Sequence, residues 1–268
     1  MRRRDWRAEP DMDGIALQQA LQHQLQLIAR TCLRLELEPG AHSASEPESG
    51  FGGCPWWPVG EAWPLCDSCG APLAFLCQLR LDGGGHWRPD HYDLCSVFFC
   101  ASCVQQDDAT LAERPSGDGC RLRLLHLSEQ PLASLAPPTS LSADGRLAPF
   151  RVHGAPVLDV PGWQDVADEL AEVAPEAMDT LHVGWRLAEL AVLRRQADAP
   201  QSQLGGYPHW VGASSWPECH WCGGQMYLLA QFVAATPLEP IWGMRRRGYL
   251  FCCAEPCDPE ALTLILQG

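Results

Sequence analysis

Apolar and polar positions follow two different periods at the start of this chain, and these periods predict two kinds of element. Over Asp13–Arg30 the apolar residues recur every three or four positions, which predicts a leading amphipathic helix. Over Thr31–Glu38 apolar and polar residues alternate, which predicts a strand that ends at Pro39-Gly40. The chain therefore opens as a helix followed by a strand.

Two later regions each predict a pair of strands. The apolar segment Leu73–Leu81 is followed by a return strand at Ser96–Phe99, and Met226–Val233 is followed by one at Gly248–Phe251. A further strand is expected at Leu122–Leu127. Both pairs lead from one group of cysteines to another, which is typical of a hairpin with metal-binding turns at its open end.

The region between the two pairs is rich in Pro, Ser, Ala and Gly. Residues 128–161 are too many for a compact loop, and we interpret them as a crossover with extended pieces at Phe150–Val152 and Val157-Leu158. Helical spacing predicts two short helices after it, at Gln164–Val173 and Leu181–Arg195.

A segment of the chain occurs twice. Residues 52–78 and 205–231 align without a gap at an offset of 153, and 11 of the 27 positions are identical. We expect an internally duplicated fold in which each half carries a zinc-ribbon-like hairpin. The predicted organisation is 1–30 (N-terminal helix), 31–127 (first half), 128–202 (crossover and short helices) and 203–268 (second half), with the halves packed as one domain.

Eight of the 14 cysteines fall into two sets with the spacing of structural metal ligands. Two close pairs of thiolates, brought together by the fold, provide the four ligands of a tetrahedral zinc site. The predicted ligands are Cys66, Cys69, Cys100 and Cys103 for the first ion, and Cys219, Cys222, Cys253 and Cys257 for the second.

The second set contains one ambiguity. The offset of 153 maps Cys100 onto Cys253, so Cys253 is the preferred ligand and its neighbour Cys252 is the alternate. Cys257 falls one residue beyond the mapped position, which implies a one-residue insertion. Gly70 and Gly223 follow the second cysteine of each first pair, where a turn often requires positive φ.

Other interpretations of these thiols remain open. The metal could be zinc or iron, and the Cys-x-x-Cys pairs could serve thiol redox chemistry, although this would leave the second pair of each set without a purpose. His209 and His220 are expected to be ordinary surface residues. Buried, non-ligating thiols are expected at Cys32, Cys54, Cys77, Cys95 and Cys120.

Charge and composition narrow the range of functions that this chain could have. The net charge is −14, and all 19 basic residues are arginines, so no lysine can form a Schiff base or serve a phosphate-binding loop. An acidic surface disfavours nucleic acid and suits a basic protein partner. No apolar run approaches the length of a membrane span, and no apolar region follows the basic start, so a cytoplasmic location is expected.

The repeated motifs resemble those of the YwqG-like family of domains of unknown function, over roughly residues 30 to 268. This resemblance implies a duplicated α+β fold rich in antiparallel strands. The matching motifs are Gly52-Gly53-Cys54-Pro55, Trp63-Pro64, Pro72-Leu73-Ala74-Phe75-Leu76-Cys77-Gln78 and Gly205-Gly206-Tyr207-Pro208-His209-Trp210.

Cys66 to Gln78 and Phe251 to Cys257 are also similar to Cys-rich segments of the programmed-cell-death-protein-2 and Tsr-four group. That resemblance implies a chaperone for a basic ribosomal protein. This chain lacks the additional zinc-finger module of the longer animal members, and many YwqG-like members lack the cysteines. The chaperone role is therefore a hypothesis for this chain.

The favoured function is a non-enzymatic, zinc-stabilised module that binds a basic protein, such as a ribosomal protein or a toxin neutralised by an immunity partner. No nucleophile elbow, phosphate loop or metalloprotease helix occurs in the sequence, and four thiolates leave zinc no open position for catalysis. The alternatives are an enzyme or thiol-redox protein, and a zinc-ribbon protein that binds nucleic acid.

Overall fold

The computed structural model describes residues 14–43, 45–81, 89, 92–105, 111–117, 119–173, 175–193, 202–233, 246–255 and 257–268. The helices are α1 (Gly14–Ile28), α2 (Ala101–Gln105), α3 (Ala167–Val173) and α4 (Met178–Leu193). The strands are β1 (Arg30–Pro39), β2 (Gly50–Phe51), β3 (Trp56–Pro58), β4 (Ala74–Arg80), β5 (Leu94–Phe99), β6 (Leu111–Pro115), β7 (Cys120–Leu125), β8 (Leu132–Ser134), β9 (Phe150–Asp159), β10 (Gln203–Leu204), β11 (Met226–Phe232), β12 (Arg247–Cys253) and β13 (Leu262–Gln267).

Eleven of these strands form one antiparallel sheet in the order β6-β13-β12-β11-β10-β1-β9-β2-β4-β5-β7. Its central pair, β1 and β9, is in register from Arg30 opposite Asp159 to Pro39 opposite Phe150. On one side of this pair lie β10, β11, β12, β13 and β6, and on the other lie β2, β4, β5 and β7. The fold is therefore a strand-rich, antiparallel α+β structure, as expected.

The first hairpin consists of β4 and β5, and the second consists of β11 and β12. In both, nearly every residue is buried, so both faces of the sheet are covered at these four strands. Strands covered on both faces appear in sequence as continuous apolar runs, which is the pattern that predicted them. The structure places each hairpin within one or two residues of its predicted position.

A hydrophobic interior joins the two sides of the sheet. The rings of Phe51 and Phe232, from opposite sides, meet edge to face with centroids 5.8 Å apart, and Leu250 packs in the same cluster. β6, which follows the first hairpin in sequence, pairs with β13 beyond the second hairpin. The amide of Leu124 also donates to the carbonyl of Pro259 at 2.8 Å. Sequence reasoning missed these connections between the two sides.

The helices α1, α3 and α4 form a separate layer whose buried cluster includes Leu21, Leu25 and Trp185. α1 and α4 cross closely at Gly184, where a Cβ atom would stand only 3.0 Å from Leu21 Cδ1. α4 begins three residues before its predicted start, and residues 194–195 of the predicted helix lie outside the described residues. Among the described helices, none has the length and apolar character that crossing a membrane requires.

Much of the predicted crossover is extended. Residues 150–159 form the single strand β9, whose exposed and half-buried positions alternate along much of its length. Earlier in the crossover, β8 pairs with β3 in a small two-stranded sheet, with Trp57 opposite Ala133. The crossover therefore contributes both to the centre of the main sheet and to the cover over the first hairpin.

Candidate metal centres

The first cysteine set lies at the open end of the first hairpin. Cys66 and Cys69 occupy a turn before β4, Cys100 directly follows β5, and Cys103 lies in α2. The turn is closed by two backbone hydrogen bonds, from the Cys66 amide to the Ala71 carbonyl and from the Gly70 amide to the Cys66 carbonyl, both 2.8 Å. Because this turn requires a φ of 71° at position 70, glycine is the residue that fits there.

The four thiols of this set converge on one point. The sulfurs of Cys66 and Cys103 are 3.8 Å apart, and those of Cys69 and Cys100 are 3.6 Å apart. All four lie within 4.8 Å of one another. Sulfurs each about 2.3 Å from a tetrahedral ion would be about 3.8 Å apart, so the arrangement fits a four-coordinate metal.

The second set repeats this arrangement on the second hairpin. The Cys219 amide donates to the Gly224 carbonyl at 2.8 Å, and the Gly223 amide donates to the Cys219 carbonyl at 2.7 Å. The Cys219 and Cys257 sulfurs are 3.7 Å apart, and the second pair of sulfurs is 3.6 Å apart. These four thiols also lie within 4.8 Å of one another, so the chain has two sites that could each hold a metal ion.

The structure brings Cys253, and not the alternate Cys252, to the second set. The sulfur of Cys253 is the one that lies 3.6 Å from the sulfur of Cys222. Neighbouring residues of a strand point to opposite faces, and Cys252 packs in the hydrophobic interior between the two sides of the sheet. Burial there raises the pKa of the Cys252 thiol, which opposes the thiolate form that a metal needs.

Backbone amides favour one thiolate in each set. Burial opposes the ionisation of Cys66, but hydrogen bonds from the amides of Cys69 and Ser68 outweigh it and lower the pKa of Cys66 to about 7. In the second set, the hydrogen bond from the Gly224 amide lowers the pKa of Cys222. The Cys66 thiol therefore loses its proton near neutral pH, and the Cys222 thiol ionises more readily than an ordinary cysteine.

Other thiols of the sets resist ionisation when no cation is near. Burial is the first cause that raises the pKa of Cys100 and of Cys253. Binding of a cation would displace these protons, so the affinity of both sites for metal should fall as the pH falls.

The remaining cysteines lie outside both sets. Cys32, Cys77, Cys95 and Cys120 are buried, as expected, whereas Cys54 is only half-buried. Burial raises the pKa of Cys77 and of Cys95. These thiols behave as small apolar side chains of the core.

The prediction that His209 is an ordinary surface residue was wrong. His209 Nε2 lies 2.9 Å from Oδ1 of Asp159, and the Asp159 carboxylate is fully buried. The other carboxylate oxygen accepts hydrogen bonds from Gln203 Nε2 and from the Tyr207 amide, both 2.8 Å. This pair anchors the Gly-Gly-Tyr-Pro-His segment to the end of β9, and no local sequence pattern links residues 159 and 209.

Hydrogen bonds around the two hairpins recur at the same sequence offset of 153 that relates the cysteines. Gln78 Oε1 accepts from the Trp56 amide at 3.0 Å, and Gln231 Oε1 accepts from the His209 amide at 2.8 Å. The Gly52 amide donates to the Leu76 carbonyl at 2.9 Å, and the equivalent bond, from residue 205 to residue 229, measures 2.7 Å. The strand irregularity between residues 75 and 77 also recurs between 228 and 230.

Comparison with known proteins assigns a family. The profile of a domain of unknown function, DUF1963, matches residues 49–243, and the chain belongs to this family. The match includes the whole first cysteine set and the first pair of the second set. A search of curated proteins finds no match to this chain.

Proposed function

We propose that this DUF1963 protein is a non-enzymatic, zinc-stabilised protein-binding module. The observation that carries the proposal is the convergence of two sets of four thiols, each with the spacing of a tetrahedral metal site. Four protein ligands leave no position for a substrate or for a reactive water. The metals would therefore act in structure rather than in catalysis.

The residues that would hold the first ion are Cys66, Cys69, Cys100 and Cys103, and those for the second are Cys219, Cys222, Cys253 and Cys257. Each ion would tie the turn before a hairpin to the segment after it, so metal binding would be coupled to folding. Zinc is the metal proposed, because four thiolates suit it and it brings no redox chemistry. Iron also accepts four thiolates in tetrahedral geometry and is the competitor to exclude.

The proposal includes an internal duplication. The 153-residue offset of the sequence repeat also relates the turn, amide and strand hydrogen bonds of the two hairpins. Each hairpin unit would have the zinc-ribbon-like arrangement of paired metal-binding turns at its open end. The domain organisation predicted from the sequence, with both halves packed as one domain, belongs to the same proposal.

A basic protein is the proposed partner, in a chaperone-like or immunity-like relationship. The support is the net charge of −14, which attracts basic surfaces and repels nucleic acid and anionic membranes. A cytoplasmic location is proposed with it, because none of the 14 cysteines forms a disulfide within the described residues and a reducing compartment would keep the thiols reduced.

Thiol redox chemistry is the second candidate, since the pKa of Cys66 is about 7 and Cys69 and Cys222 are exposed. Two measurements on the natively purified chain distinguish structural zinc from thiol redox chemistry. These are elemental analysis and a count of reactive thiols before and after chelation. Two zinc ions per chain, with eight thiols newly reactive after chelation, would support the proposal. Iron with visible absorbance would overturn the choice of zinc. Absence of metal, with rapidly reactive thiols, would favour redox chemistry.

Recovery of the partner is a separate test. The metal-loaded chain, immobilised, should retain basic proteins at physiological salt, and a chain stripped of metal should retain fewer. Retention of nucleic acid in a salt-sensitive manner, or consistent recovery of no protein, would contradict the binding role.

A further inference from the structure

A groove runs between α1 and α4 on the helical layer, and no cysteine of either set lines it. It has a volume of about 420 Å3 and is lined by Leu17, Val183, Leu187 and Asp179, among others. Gly184 also lines it, at the point where α1 and α4 approach each other so closely that a Cβ would stand 3.0 Å from Leu21 Cδ1.

α4 is apolar on two of its sides. Leu181, Trp185 and Ala188 pack into the helical layer. Val183, Leu187 and Leu190 follow the spacing i, i+4, i+7 and are 61%, 46% and 38% exposed. A helix with apolar residues around most of its circumference is usually buried, so the exposed stripe is typical of a surface that packs against a further element.

The charge that lines the groove is acidic, since Asp179 is among its lining residues and no lysine or arginine is. Between residues 163 and 193 the only lysine or arginine is Arg186, and its guanidinium is hydrogen-bonded to Glu189 at 2.9 Å. α1 contains no acidic residue, lysine or arginine. The acidic residues of this stretch are Asp165, Asp168, Glu169, Glu172, Glu176, Asp179 and Glu189.

We propose that this groove binds a basic amphipathic helix of a partner protein. The exposed stripe has the i, i+4, i+7 spacing with which one helix packs onto another, and an apolar helix face would fit between α1 and α4. Arginine or lysine at the edges of that face would meet Asp179 in the groove wall and would be attracted by the net charge of −14. The inference rests on the proposed function in taking the partner to be a basic protein, and it names the surface that the partner would contact.

A second copy of the chain is the less favourable occupant. Dimerisation through this face would bring two acidic helical layers together, and each chain carries a net charge of −14. Like charges brought close together oppose association.

The test uses a fluorescent 18-residue peptide of leucine and arginine with an amphipathic helical pattern, titrated with the metal-loaded full chain. Two further peptides serve as comparisons, a scrambled one of the same composition and a leucine–glutamate one with the same pattern. The patterned basic peptide should bind at least about tenfold more tightly than either, since it alone matches both the apolar stripe and the charge. Equal binding of the scrambled peptide would overturn the inference, because charge alone would then explain the binding.

The matched variants are Val183→Asp in the groove and Val59→Asp directly after β3, outside the groove lining, since both valines are 61% exposed. Val183→Asp should weaken binding about tenfold or more, whereas Val59→Asp should change it less than about twofold. Leu187→Ala, a milder change, should also weaken binding. Equal effects of the two aspartates would contradict the proposal, as would self-association of the wild-type chain that Val183→Asp abolishes.

The two proposals fail separately. Metal content and melting temperature of each variant are measured first, and both should match the wild-type chain because the substituted side chains are largely exposed. If both metals are present and a basic partner is recovered while Val183→Asp has no effect, only the groove assignment fails. If no metal is present, the metal-stabilised module fails whatever the peptide does.

Discussion

The two cysteine hairpins share their local hydrogen bonds but differ in what covers them. Over the first hairpin, Leu132 of β8 and the nearby Leu135 pack on a cluster of aromatic side chains, Trp57, Trp63, Phe75 and Phe98. Trp63 is only 8% exposed. On the second hairpin, Trp216, which occupies the equivalent position, is 40% exposed. The comparison shows that residues close in sequence determine the hairpin and the positions of its thiols. The residues that cover the hairpin come from segments far away in sequence.

The second hairpin is anchored by buried acids instead. Asp165 Oδ1 accepts the indole N–H groups of Trp210 and Trp216, at 2.7 and 3.1 Å. Burial raises the pKa of Asp165 despite these bonds, and its other carboxylate oxygen has no hydrogen-bond partner within the described part of the chain. Polar contacts to the segment after β9 thus replace part of the apolar cover that the first hairpin has.

The largest expected effect comes from removing a ligand from either hairpin. Cys66→Ser and Cys219→Ser should each reduce the metal content from two ions to one, and each should lower the melting temperature by roughly 10 °C or more because several kcal/mol of metal binding are lost. Elemental analysis with calorimetry measures both. Cys252→Ser is the control and should keep two ions, since its sulfur lies in the core rather than in the set. Two ions in all three variants would refute the ligand assignment.

The two hairpins differ in how deeply an equivalent tryptophan is buried, and truncating that tryptophan should therefore cost different amounts of stability. Trp63→Ala removes a side chain that is packed against Phe98 and whose Nε1 donates to the Leu73 carbonyl at 2.8 Å. We expect it to cost about 3–5 kcal/mol of unfolding free energy. Trp216→Ala should cost less, roughly 1–2 kcal/mol, because the side chain is partly exposed. Urea unfolding of both variants checks this, and equal losses would mean that cover does not distinguish the hairpins.

The Asp159–His209 pair, which joins the end of β9 to the segment before the second hairpin, should make stability depend on pH. Burial works against both charges, but their mutual hydrogen bond raises the pKa of His209 above 6.5 and lowers that of Asp159 below 3.8. The histidine contribution is fully present below pH 6.5 and is lost as the pH rises through the raised pKa. The aspartate contribution is present above pH 3.8 and is lost as the pH falls through the lowered pKa.

His209→Gln should therefore cost about 1–3 kcal/mol at pH 6, and the difference from wild type should shrink by pH 9. Urea unfolding at the two pH values measures it with both metals bound. His153→Gln serves as the control, since its 3.0 Å pair with Glu38 is exposed and should contribute less than about 1 kcal/mol at either pH. A pH-independent loss in His209→Gln would show that packing, rather than charge, explains the effect.

The smallest expected loss of stability comes from replacing the glycine in either cysteine turn, and it should be the same in both hairpins. Gly70→Ala and Gly223→Ala would each place a Cβ in open space, so only the positive φ opposes the change, at a cost of about 1–2 kcal/mol. Gly212→Ala is the matched control, because its surroundings are equally open and its φ is ordinary. Thermal melting checks all three, and a loss at only one of the two turns would contradict their equivalence.

Much of the candidate site was predictable because its geometry is local. The spacing of Cys66 and Cys69, with Gly70 after them, already specifies a turn that directs two sulfurs to one side. The offset of 153 favoured Cys253 over Cys252, and strand alternation explains why this preference matches the structure. The pairing of Asp159 with His209 was not predictable, since the two residues are far apart in sequence and no periodicity relates them.

The positions of the helices and strands could be predicted from the sequence, but the pairing of the strands could not. The apolar runs located the hairpins, and helical spacing located α1 and α4 within a few residues. By contrast, the pairing of β1 with β9 and of β6 with β13 joins residues more than 100 positions apart. Such pairings depend on how the whole chain buries its apolar surface, which a local pattern does not record.

The sequence by itself determined the two hairpins and the eight thiols at their open ends, because short-range turns and strand alternation follow from neighbouring residues. Only the tertiary structure decided which sides of the sheet share an interior, which tryptophan is covered, and which acids anchor the second half. The physical reason is that hydrogen bonds within a turn are made by adjacent residues, whereas burial is a property of the assembled molecule.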